Sequence, residues 1–325
     1  MEHFKVGIIG AGRIARQMAH TLRDMDGVEP YAVASRNHEN ARKFASEWGF
    51  TRAYGSYEEL ADDPEVQLIY IATPHSLHFE QASMCLEKGK PVLCEKAFTA
   101  NARQAETLIR LAKDKNVFLA EAMWIRYMPF CETIRNLVED GVIGRAMMLT
   151  ANIGYPIAEE ERIAKPELCG GALLDIGVYP INFARMIFGT EIADINSTCI
   201  KGNTGVDLQD SITFVYKNRR MAVLQMTVFC ANDRQSVISG DKGYIVIDNI
   251  NNPQQAIVYS VDHKEVVRYN CPPQITGFEY EVQAAIDAIR AGKIETSHMP
   301  HAETLHIMKM LDNFRSEWEV RFPMD

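Results

Sequence analysis

The sequence feature that most constrains the fold is a glycine-rich hexapeptide directly after the first apolar run. Residues 5–10 (KVGIIG) have the composition of a short buried strand, and residues 10–15 (GAGRIA) give the pattern G-x-G-x-x-A. The apolar spacing of residues 13–22 predicts a helix next. In such a strand–turn–helix unit Gly10 permits the tight turn, Gly12 lets the backbone approach a pyrophosphate, and the helix N-terminus attracts the anion. The position predicts a dinucleotide-binding turn, with a purely structural glycine turn as the alternative.

Short apolar runs alternate with helical patterns through the first third of the chain. Strands are predicted at residues 28–34, 66–72, 91–94 and 117–122, and helices at residues 39–47, 78–88 and 100–113. The run VQLIYIA is almost wholly apolar, as strands buried on both faces of a parallel sheet are. The alternation predicts an α/β protein whose N-terminal domain, residues 1–122, is a Rossmann domain with a doubly wound parallel sheet.

The pattern changes after residue 122. Helices are predicted at residues 128–139, 173–188, 278–291 and 302–317, a strand at 146–153, and repeated β-type runs with turn residues between 211 and 267. This pattern predicts a C-terminal α+β domain over residues 123–325, built on a large, mostly antiparallel open sheet.

Charge and cysteine usage narrow the class of protein. The 34 basic and 43 acidic residues give a net charge of −9, which argues against a general nucleic-acid binder. No apolar run reaches the roughly 20 residues that span a bilayer, and the N-terminus carries no basic segment of a signal peptide. The seven cysteines show no C-x-x-C and no metal spacing. We therefore expect reduced thiols, no metal, and a cytoplasmic protein.

The end of the second predicted strand bears on the choice of cofactor. An NAD site usually has an acidic residue there to accept hydrogen bonds from the ribose 2′-hydroxyl. This chain has Ser35 and Arg36 instead, and a guanidinium can grip a 2′-phosphate with several donors. NADP(H) is favoured, and NAD stays open because Arg36 could be a solvated loop cation.

Polar side chains follow two further predicted strands. Residues 92–96 (VLCEK) end a buried strand on Glu95 and Lys96, and Thr73, His75 and His78 follow the strand at residues 66–72. Ligands of open α/β sheets bind at the carboxyl ends of the strands. A surface lysine in a salt bridge is the alternative for Lys96.

A carboxylate and a phenol lie four residues apart in the second predicted domain. At that spacing Asp175 and Tyr179 share one face of an α-helix, although Pro180 disfavours helical geometry in the residue before it. Oxidising an alcohol requires loss of a hydride and of the hydroxyl proton, and a nearby ammonium favours the phenolate form of a tyrosine. Lys96 beside Tyr179 would bring the phenol towards the working pH of a general base.

Taken together, these motifs resemble the Gfo/Idh/MocA oxidoreductases. Three segments carry the resemblance in the expected order: G-x-G-x-x-A, the Glu-Lys dipeptide, and residues 170–179 (GGALLDIGVY). Residues 121–129 (EAMWIRYMP) and 53–60 (AYGSYEEL) are most similar to the dimeric dihydrodiol dehydrogenases and the NADP-dependent D-xylose dehydrogenases within that family. The resemblance covers essentially the whole chain.

The resemblance implies a role for individual residues. Lys96 would be the active-site lysine and Tyr179 the proton-transferring group, and Asp175 would orient the substrate or the acid–base group. The implied cofactor-binding residues are Gly10, Gly12, Arg13, Ile14, Ser35, Arg36, Thr73, His75, His78, Glu95 and Lys96. Trp124, Tyr179 and Phe278 would bind substrate, with core packing as the alternative for the first and last. A homodimer through the C-terminal sheet is also implied.

Two departures from the family pattern matter. The motif proline is replaced by Ala97, and because a cis bond before a non-proline residue costs about 2.5–4 kcal/mol, we expect a trans Lys96–Ala97 bond. A basic residue that some relatives carry at the start of the following helix corresponds here to Asn40, so Arg36 and Ser35 would carry more of the phosphate contact.

The sequence therefore predicts an NADP-dependent dehydrogenase that acts on a CH–OH group of a sugar or a cyclic diol. Two alternatives stay open: a reductase of keto-sugars or lactones, and an NAD(P)-binding regulator without turnover. The joint presence of Lys96, Asp175 and Tyr179 favours the enzyme, whereas Ala97 keeps the regulator open.

Overall fold

The computed structural model describes residues 3–325, which form two compact units. The first unit reaches Tyr127 and also contains Gln274–Asp312 and Met324–Asp325, whereas the second contains Met128–Pro273 and Asn313–Pro323. A single division after residue 122, with 123–325 as one domain, differs from this arrangement. The reason is that the chain returns to the first unit: the Leu119 N–H donates to the Ile294 carbonyl at 2.9 Å, and the Asp312 carboxylate accepts from the Ala102 N–H at 2.8 Å.

The first unit is built on a six-stranded, wholly parallel sheet in the order β3-β2-β1-β4-β5-β6. Its strands are β1 (Phe4–Ile9), β2 (Val28–Ala34), β3 (Arg52–Tyr54), β4 (Leu68–Ile71), β5 (Val92–Glu95) and β6 (Leu119–Ala122). Its first helices are α1 (Arg13–Asp24), α2 (His38–Trp48), α3 (Tyr57–Asp62), α4 (His75–Glu87) and α5 (Ala102–Lys115). The predicted doubly wound parallel sheet is confirmed.

Local capping explains where the helices of this sheet begin. The side chain of Asn37 caps α2 by accepting from the Asn40 N–H at 3.2 Å, and Ser56 caps α3 by accepting from the Glu59 N–H, also at 3.2 Å. The Glu59 carboxylate accepts in return from the Gly55 N–H, which completes a reciprocal pair of caps. The short elements β3 and α3 were not predicted from the apolar pattern, because three strand residues and two helical turns are too short for a period to show.

The second unit contains an eight-stranded sheet in the order β14-β13-β12-β11-β7-β10-β9-β8. Its strands are β7 (Ala146–Gly154), β8 (Ile192–Lys201), β9 (Asp207–Tyr216), β10 (Met221–Thr227), β11 (Ser236–Gly240), β12 (Gly243–Ile247), β13 (Gln255–Ser260) and β14 (Glu265–Asn270). Only β7 and β10 pair in parallel, so the predicted mostly antiparallel sheet is confirmed. Strand β8 escaped prediction because it is largely exposed along its length.

The remaining helices are α6 (Pro129–Glu139), α7 (Glu161–Ala164), α8 (Val178–Phe188), α9 (Glu279–Arg290) and α10 (His301–Glu317). None of the helices within residues 3–325 is long and apolar enough to cross a membrane.

The predicted helix over residues 173–188 is interrupted near its start. Leu173–Gly177 forms a π-helical turn in which the Val178 N–H bonds to the Leu173 carbonyl five residues back, and α8 follows. Pro180 has no N–H to close an α-type bond to Ile176, which is consistent with this wider turn. Asp175 and Tyr179 therefore flank a π-to-α junction and do not lie on one regular α-helix.

Two glutamates are fully enclosed in the first unit. Glu121 on β6 is buried, and burial raises the pKa of its carboxyl to about 7, against the opposing effects of Thr304 and Arg126. Glu281 on α9 has no solvent exposure, and burial together with the Glu95 charge raises its pKa well above the ordinary range. A carboxyl whose pKa is raised by folding stabilises the native state below its unfolded pKa and loses that stabilisation as pH rises.

We predict that the effect of Glu121→Gln on the stability of the protein is more favourable at alkaline pH than at acidic pH. The contribution of the Glu121 carboxyl to the free energy of unfolding is fully present below its unfolded pKa of about 4.3. It is lost as pH rises through the folded pKa of about 7, and the loss is on the order of 2–4 kcal/mol. Thermal unfolding of both proteins at pH 5 and pH 8 measures it. Glu106→Gln, an exposed position on α5, is the control, and an equal Tm difference for Glu121→Gln at the two pH values contradicts the prediction.

Candidate active site

The glycine-rich turn joins β1 to α1 in a way that needs both glycines. Gly10 has φ +108°, and an added Cβ would lie 2.8 Å from the Ala72 carbonyl oxygen at the end of β4. Gly12 is the N-cap of α1, and an added Cβ there would meet nothing within 4 Å. Glycine is thus required at position 10 by the backbone conformation and by the close approach to Ala72, whereas Gly12 borders open space. With no side-chain cap and no acidic residue in its first turn, α1 keeps its first N–H groups available for an anion.

A cleft of about 420 Å³ lies at this turn. Its walls contain five of the predicted cofactor-binding residues: Gly10, Gly12, Ser35, Arg36 and Thr73. They also contain residues that the sequence analysis did not assign: Ala11, Arg16, Asn40, Lys43, Phe44, Glu47, Tyr57, Ala72, Pro74 and Leu77. The free N-terminus of α1 and the open space at Gly12 fit the diphosphate of a nicotinamide dinucleotide.

The end of the cleft beyond β2 is rich in cations. Arg36 is exposed and hydrogen-bonds the Tyr57 phenol. Burial raises the pKa of Tyr57, and the charge of Arg36 offsets part of that rise. Lys43 on α2 provides a second cation, 2.8 Å from Glu39. The one carboxylate in the wall, Glu47, is paired with Arg16 at 2.6 Å. No acidic side chain among the described residues therefore stands at the end of β2.

Lys96 follows β5 on a loop whose backbone is held by Glu95. The Glu95 carboxylate is buried, accepts a hydrogen bond from the Tyr70 hydroxyl, and accepts another from the Lys96 N–H at 3.1 Å. Lys96 itself is half-buried. The Lys96–Ala97 peptide bond is cis, so the expectation of a trans bond is wrong; the Ala97 carbonyl lies 3.0 Å from the His78 ring.

His78 joins two loops of the first unit. Its ring is fully buried, with Nδ1 3.0 Å from the Ala97 carbonyl and Nε2 2.9 Å from the Thr73 carbonyl. Burial lowers its pKa, against these carbonyls, which raise it. His75 is half-buried, and the two imidazole rings meet edge to face with centroids 5.7 Å apart. The burial of His78 gives it a supporting position, and a direct contact with a cofactor stays a prediction for both histidines.

The remaining predicted cofactor residues do not line the cleft. Arg13 and Ile14 are the first two residues of α1. Within the described chain, the wall of the 420 Å³ cleft includes neither of them, nor His75, His78, Glu95 or Lys96. Their predicted contacts with a cofactor therefore stay predictions.

Two predicted substrate residues are in contact. The rings of Trp124 and Phe278 stack with centroids 4.3 Å apart and planes inclined by 13°. The loop before Phe278 is fixed because the Glu279 carboxylate accepts from the Ile275 and Gly277 N–H groups, each at 2.7 Å. The segment after Trp124 is fixed by an ion pair between Arg126 and Glu303 at 2.5 Å. The sequence singled out both aromatic residues but gave no sign of the contact between them.

Asp175 and Tyr179 are both buried parts of the second unit. The Asp175 carboxylate accepts from the Arg162 guanidinium at 2.6 Å, and the same guanidinium lies 2.9 Å from Glu160. The sequence analysis missed Arg162, since a lone arginine near an irregular loop carries no distinguishing pattern. Among residues 3–325, no group of three or more His, Cys, Asp or Glu side chains is placed to hold a metal ion.

Comparison with known proteins assigns a family to both parts of the chain. Residues 4–123 match the family model of the Gfo/Idh/MocA oxidoreductases, described as an oxidoreductase family with an NAD-binding Rossmann fold, and residues 131–246 match the Gfo/Idh/MocA C-terminal domain. The chain is 36% identical to trans-1,2-dihydrobenzene-1,2-diol dehydrogenase of Xenopus laevis, over 98% of this chain and 99% of that one. It is 30% identical to the Homo sapiens enzyme of that name, over 98% of each chain.

Solved structures show the same fold at lower identity. A 3-ketoreductase from Actinomadura kijaniata, in complex with NADP and TDP-benzene, superposes with a TM-score of 0.88 at 24% identity, over 97% of this chain and 98% of that one. An aldose-aldose oxidoreductase from Caulobacter crescentus superposes with a TM-score of 0.87 at 20% identity, over 98% of each chain. With family matches in both halves and full-length relatives above 30% identity, the chain belongs to the Gfo/Idh/MocA family of oxidoreductases.

Proposed function

We propose that this oxidoreductase is an NADP-dependent dehydrogenase that oxidises a hydroxyl group of a sugar or a cyclic diol, and that reduces the corresponding carbonyl in the reverse direction. The observation that carries the proposal is a bonded link inside the first unit. Thr73 lies in the wall of the dinucleotide cleft, and its carbonyl contacts His78, whose other ring nitrogen contacts the Ala97 carbonyl beside Lys96. His78 thus lies between the cofactor cleft and the lysine loop, and its imidazole donates to one of the two carbonyls when neutral and to both when protonated.

The chain's own residues supply the proton chemistry in this proposal. When bound, the nicotinamide accepts the hydride or returns it. Tyr179 takes the proton of the substrate hydroxyl, and the Lys96 ammonium favours the phenolate form that does so. Asp175, itself held by Arg162, orients these groups. The regulator alternative loses support because the full-length relatives are named as dehydrogenases.

The substrate class follows from the aromatic pair and the relatives. Trp124 is 8% and Phe278 is 6% exposed. In this proposal their stacked rings form a flat apolar wall of the substrate pocket, since pockets for small ligands combine such walls with a few polar groups. A ring with an apolar face and hydroxyl groups at its edge matches that combination. The full-length relatives are named for a dihydrobenzene diol, which is such a ring.

The cation-rich end of the cleft predicts a preference for NADP(H). Arg36→Ala should raise the KM for NADP⁺ about 10- to 100-fold, because a hydrogen bond between charged groups contributes roughly 1.5–3 kcal/mol, while the KM for NAD⁺ should change little. Steady-state kinetics with both cofactors measure this, and Arg42→Ala, exposed on α2 but outside the cleft wall, is the control. Equal KM values for NADP⁺ and NAD⁺ in the unmodified enzyme contradict the preference.

The proposed proton transfer predicts a loss of turnover without a loss of cofactor binding. Tyr179→Phe should lower kcat about 10²- to 10⁴-fold, the usual contribution of general acid–base catalysis, with the Kd for NADPH unchanged. Lys96→Met should be at least as damaging. Tyr216→Phe, which removes a buried phenol hydroxyl elsewhere in the second unit, should leave kcat unchanged. If Tyr179→Phe keeps most of its kcat, the acid–base role passes to Lys96 or a histidine.

We also propose a cytoplasmic homodimer formed through the outer face of the large sheet. In the registered pairs that cross β13, β12, β11, β7, β10 and β9, one row of half-buried side chains is aliphatic or threonine: Ile257, Val246, Val237, Thr150, Val223 and Thr213. A contiguous apolar row of this kind is typical of a protein interface.

A dimer of this kind predicts a mass in solution of about twice 36.7 kDa. Val223→Lys places a charge in the middle of the row and should give the monomer mass, whereas Glu106→Lys on α5 of the first unit should not. Light scattering after gel filtration measures all three proteins. A monomer mass for the unmodified protein contradicts the proposal.

A further inference from the structure

Two buried carboxyl groups on β9 lie against the turn that leads to Tyr179. Asp207 is 1% exposed and Asp210 is 3% exposed. Residues three apart on a regular strand point to opposite faces. Here Lys201 pairs with Asp207 while Ile200 pairs with Gln209, so Leu208 is an extra residue and the strand is bulged. The bulge lets both carboxyl groups face the interior of the second unit.

Asp207 caps the π-helical turn. Its Oδ2 accepts from the Leu173 N–H at 2.6 Å, at the first residue of the turn. Gly171 has φ +118°, and an added Cβ would overlap Oδ1 of the same carboxylate. The second glycine of the GGALLDIGVY segment is therefore required for this close approach. A carboxylate at a helix N-terminus satisfies an N–H that has no partner within the helix.

Burial raises the pKa of both carboxyl groups. Burial and the neighbouring Asp207 charge raise the pKa of Asp210 well above its ordinary range. As a carboxylate, Asp210 would have both oxygens unpaired within the described chain; as an acid it donates to Asp207. Arg315, whose guanidinium stacks on the Phe322 ring at 4.4 Å, lies near Asp207 and favours the negative charge there.

The other ionisable groups that face the pair come from β8. Cys199 lies near both carboxyl groups, and the charge of Lys201 acts on the same cysteine. The burial of the Cys199 thiol, together with the two aspartates, raises its pKa to about 11, so the thiol is neutral at physiological pH. Arg315 is the cation that acts on Asp207, whereas Lys201 acts on Cys199 and donates to the Trp318 carbonyl at 2.8 Å.

We propose that Asp207 and Asp210 form a positioning pair that shares one proton. With Asp210 protonated, Asp207 fixes the π-helical turn, and the π-helical turn determines the position of Tyr179. Tyr179 is the second residue of α8 and directly follows the turn. The inference rests on the proposed role of Tyr179 in proton transfer. Neither aspartate touches substrate or cofactor in this account.

The first test compares kcat with binding in Asp207→Ala. Loss of the cap releases the Leu173 N–H, and a displacement of about 1 Å at a catalytic group can cost on the order of 10²-fold in rate. We expect kcat to fall by about that factor, with the Kd for NADPH unchanged, and Asp194→Ala, exposed on β8, to keep the wild-type kcat. A kcat within twofold of wild type in folded Asp207→Ala overturns the proposal.

The second test uses Asp210, so that the proposal stays testable if Asp207→Ala does not fold. An asparagine amide donates to Asp207 as the protonated acid does, whereas an alanine does not. We expect Asp210→Ala to lose kcat and Asp210→Asn to recover it. Because the pKa of Asp210 is raised in the folded state, wild-type stability falls as pH rises above about 4. The Tm of Asp210→Asn should therefore exceed that of wild type by a margin that grows from pH 5 to pH 8. A constant margin, or equal kcat in the alanine and asparagine variants, overturns the shared proton.

A third test separates this inference from the proposed function. If Asp207 acts through Tyr179, then Asp207→Ala should cost no further kcat in a Tyr179→Phe background, as a double-mutant cycle measures. Additive losses overturn the inference and leave the role of Tyr179 standing. If Tyr179→Phe alone keeps wild-type kcat, the proposed role of Tyr179 in proton transfer fails, and the positioning is then decided by amide hydrogen exchange. Faster exchange over residues 171–179 in the folded Asp207→Ala protein supports the positioning, and unchanged exchange overturns it.

Discussion

The close approach of the first glycine turn to the end of β4 is the contact on which the rest of the cofactor site depends. Gly10 leaves no room for a Cβ against the Ala72 carbonyl, and the Gly10 N–H bonds to the Ala34 carbonyl at the end of β2 at 2.9 Å. Three strand ends are thereby brought together at one edge of the parallel sheet. The cleft opens at that edge because neighbouring loops leave the sheet in different directions there.

Carboxylate acceptors, buried at Glu95 and Asp207 and half-buried at Glu279, then fix the backbone beside residues that are assigned to chemistry. Glu95 accepts from the Lys96 N–H, Glu279 accepts from the loop before Phe278, and Asp207 accepts from the Leu173 N–H. A carboxylate that accepts backbone N–H groups away from water gives strong, directional bonds. Such bonds hold loops more rigidly than apolar packing alone, which is what a site needs when reacting atoms must meet within a fraction of an ångström.

The sequence predicted the parts of this structure that depend on period and on local motif. The parallel sheet, the mostly antiparallel second sheet and the G-x-G-x-x-A turn all follow from repeating apolar spacing or from a fixed glycine pattern. It could not predict that residues 274–312 return to the first unit, because no local pattern records a contact such as that of Ala102 with Asp312, 210 residues away. The sequence analysis expected a trans Lys96–Ala97 bond, which is wrong, whereas Pro180 already indicated irregular geometry at the place where the π-helical turn lies.

The buried residues and the exposed residues of the proposed site differ in what a substitution there would disturb. Glu95, His78 and Asp207 are buried and hold backbone atoms, so a substitution there leaves an enclosed polar group without its partner. Arg36 and Lys43 are exposed side chains on the rim of the cleft, and replacing them removes a partner only from the half-buried Tyr57 phenol and the exposed Glu39 carboxylate. The preference between NADP and NAD can therefore change through single surface substitutions at little cost in stability. The placement of Lys96 and Tyr179 is tied to buried networks, in which several residues must change together.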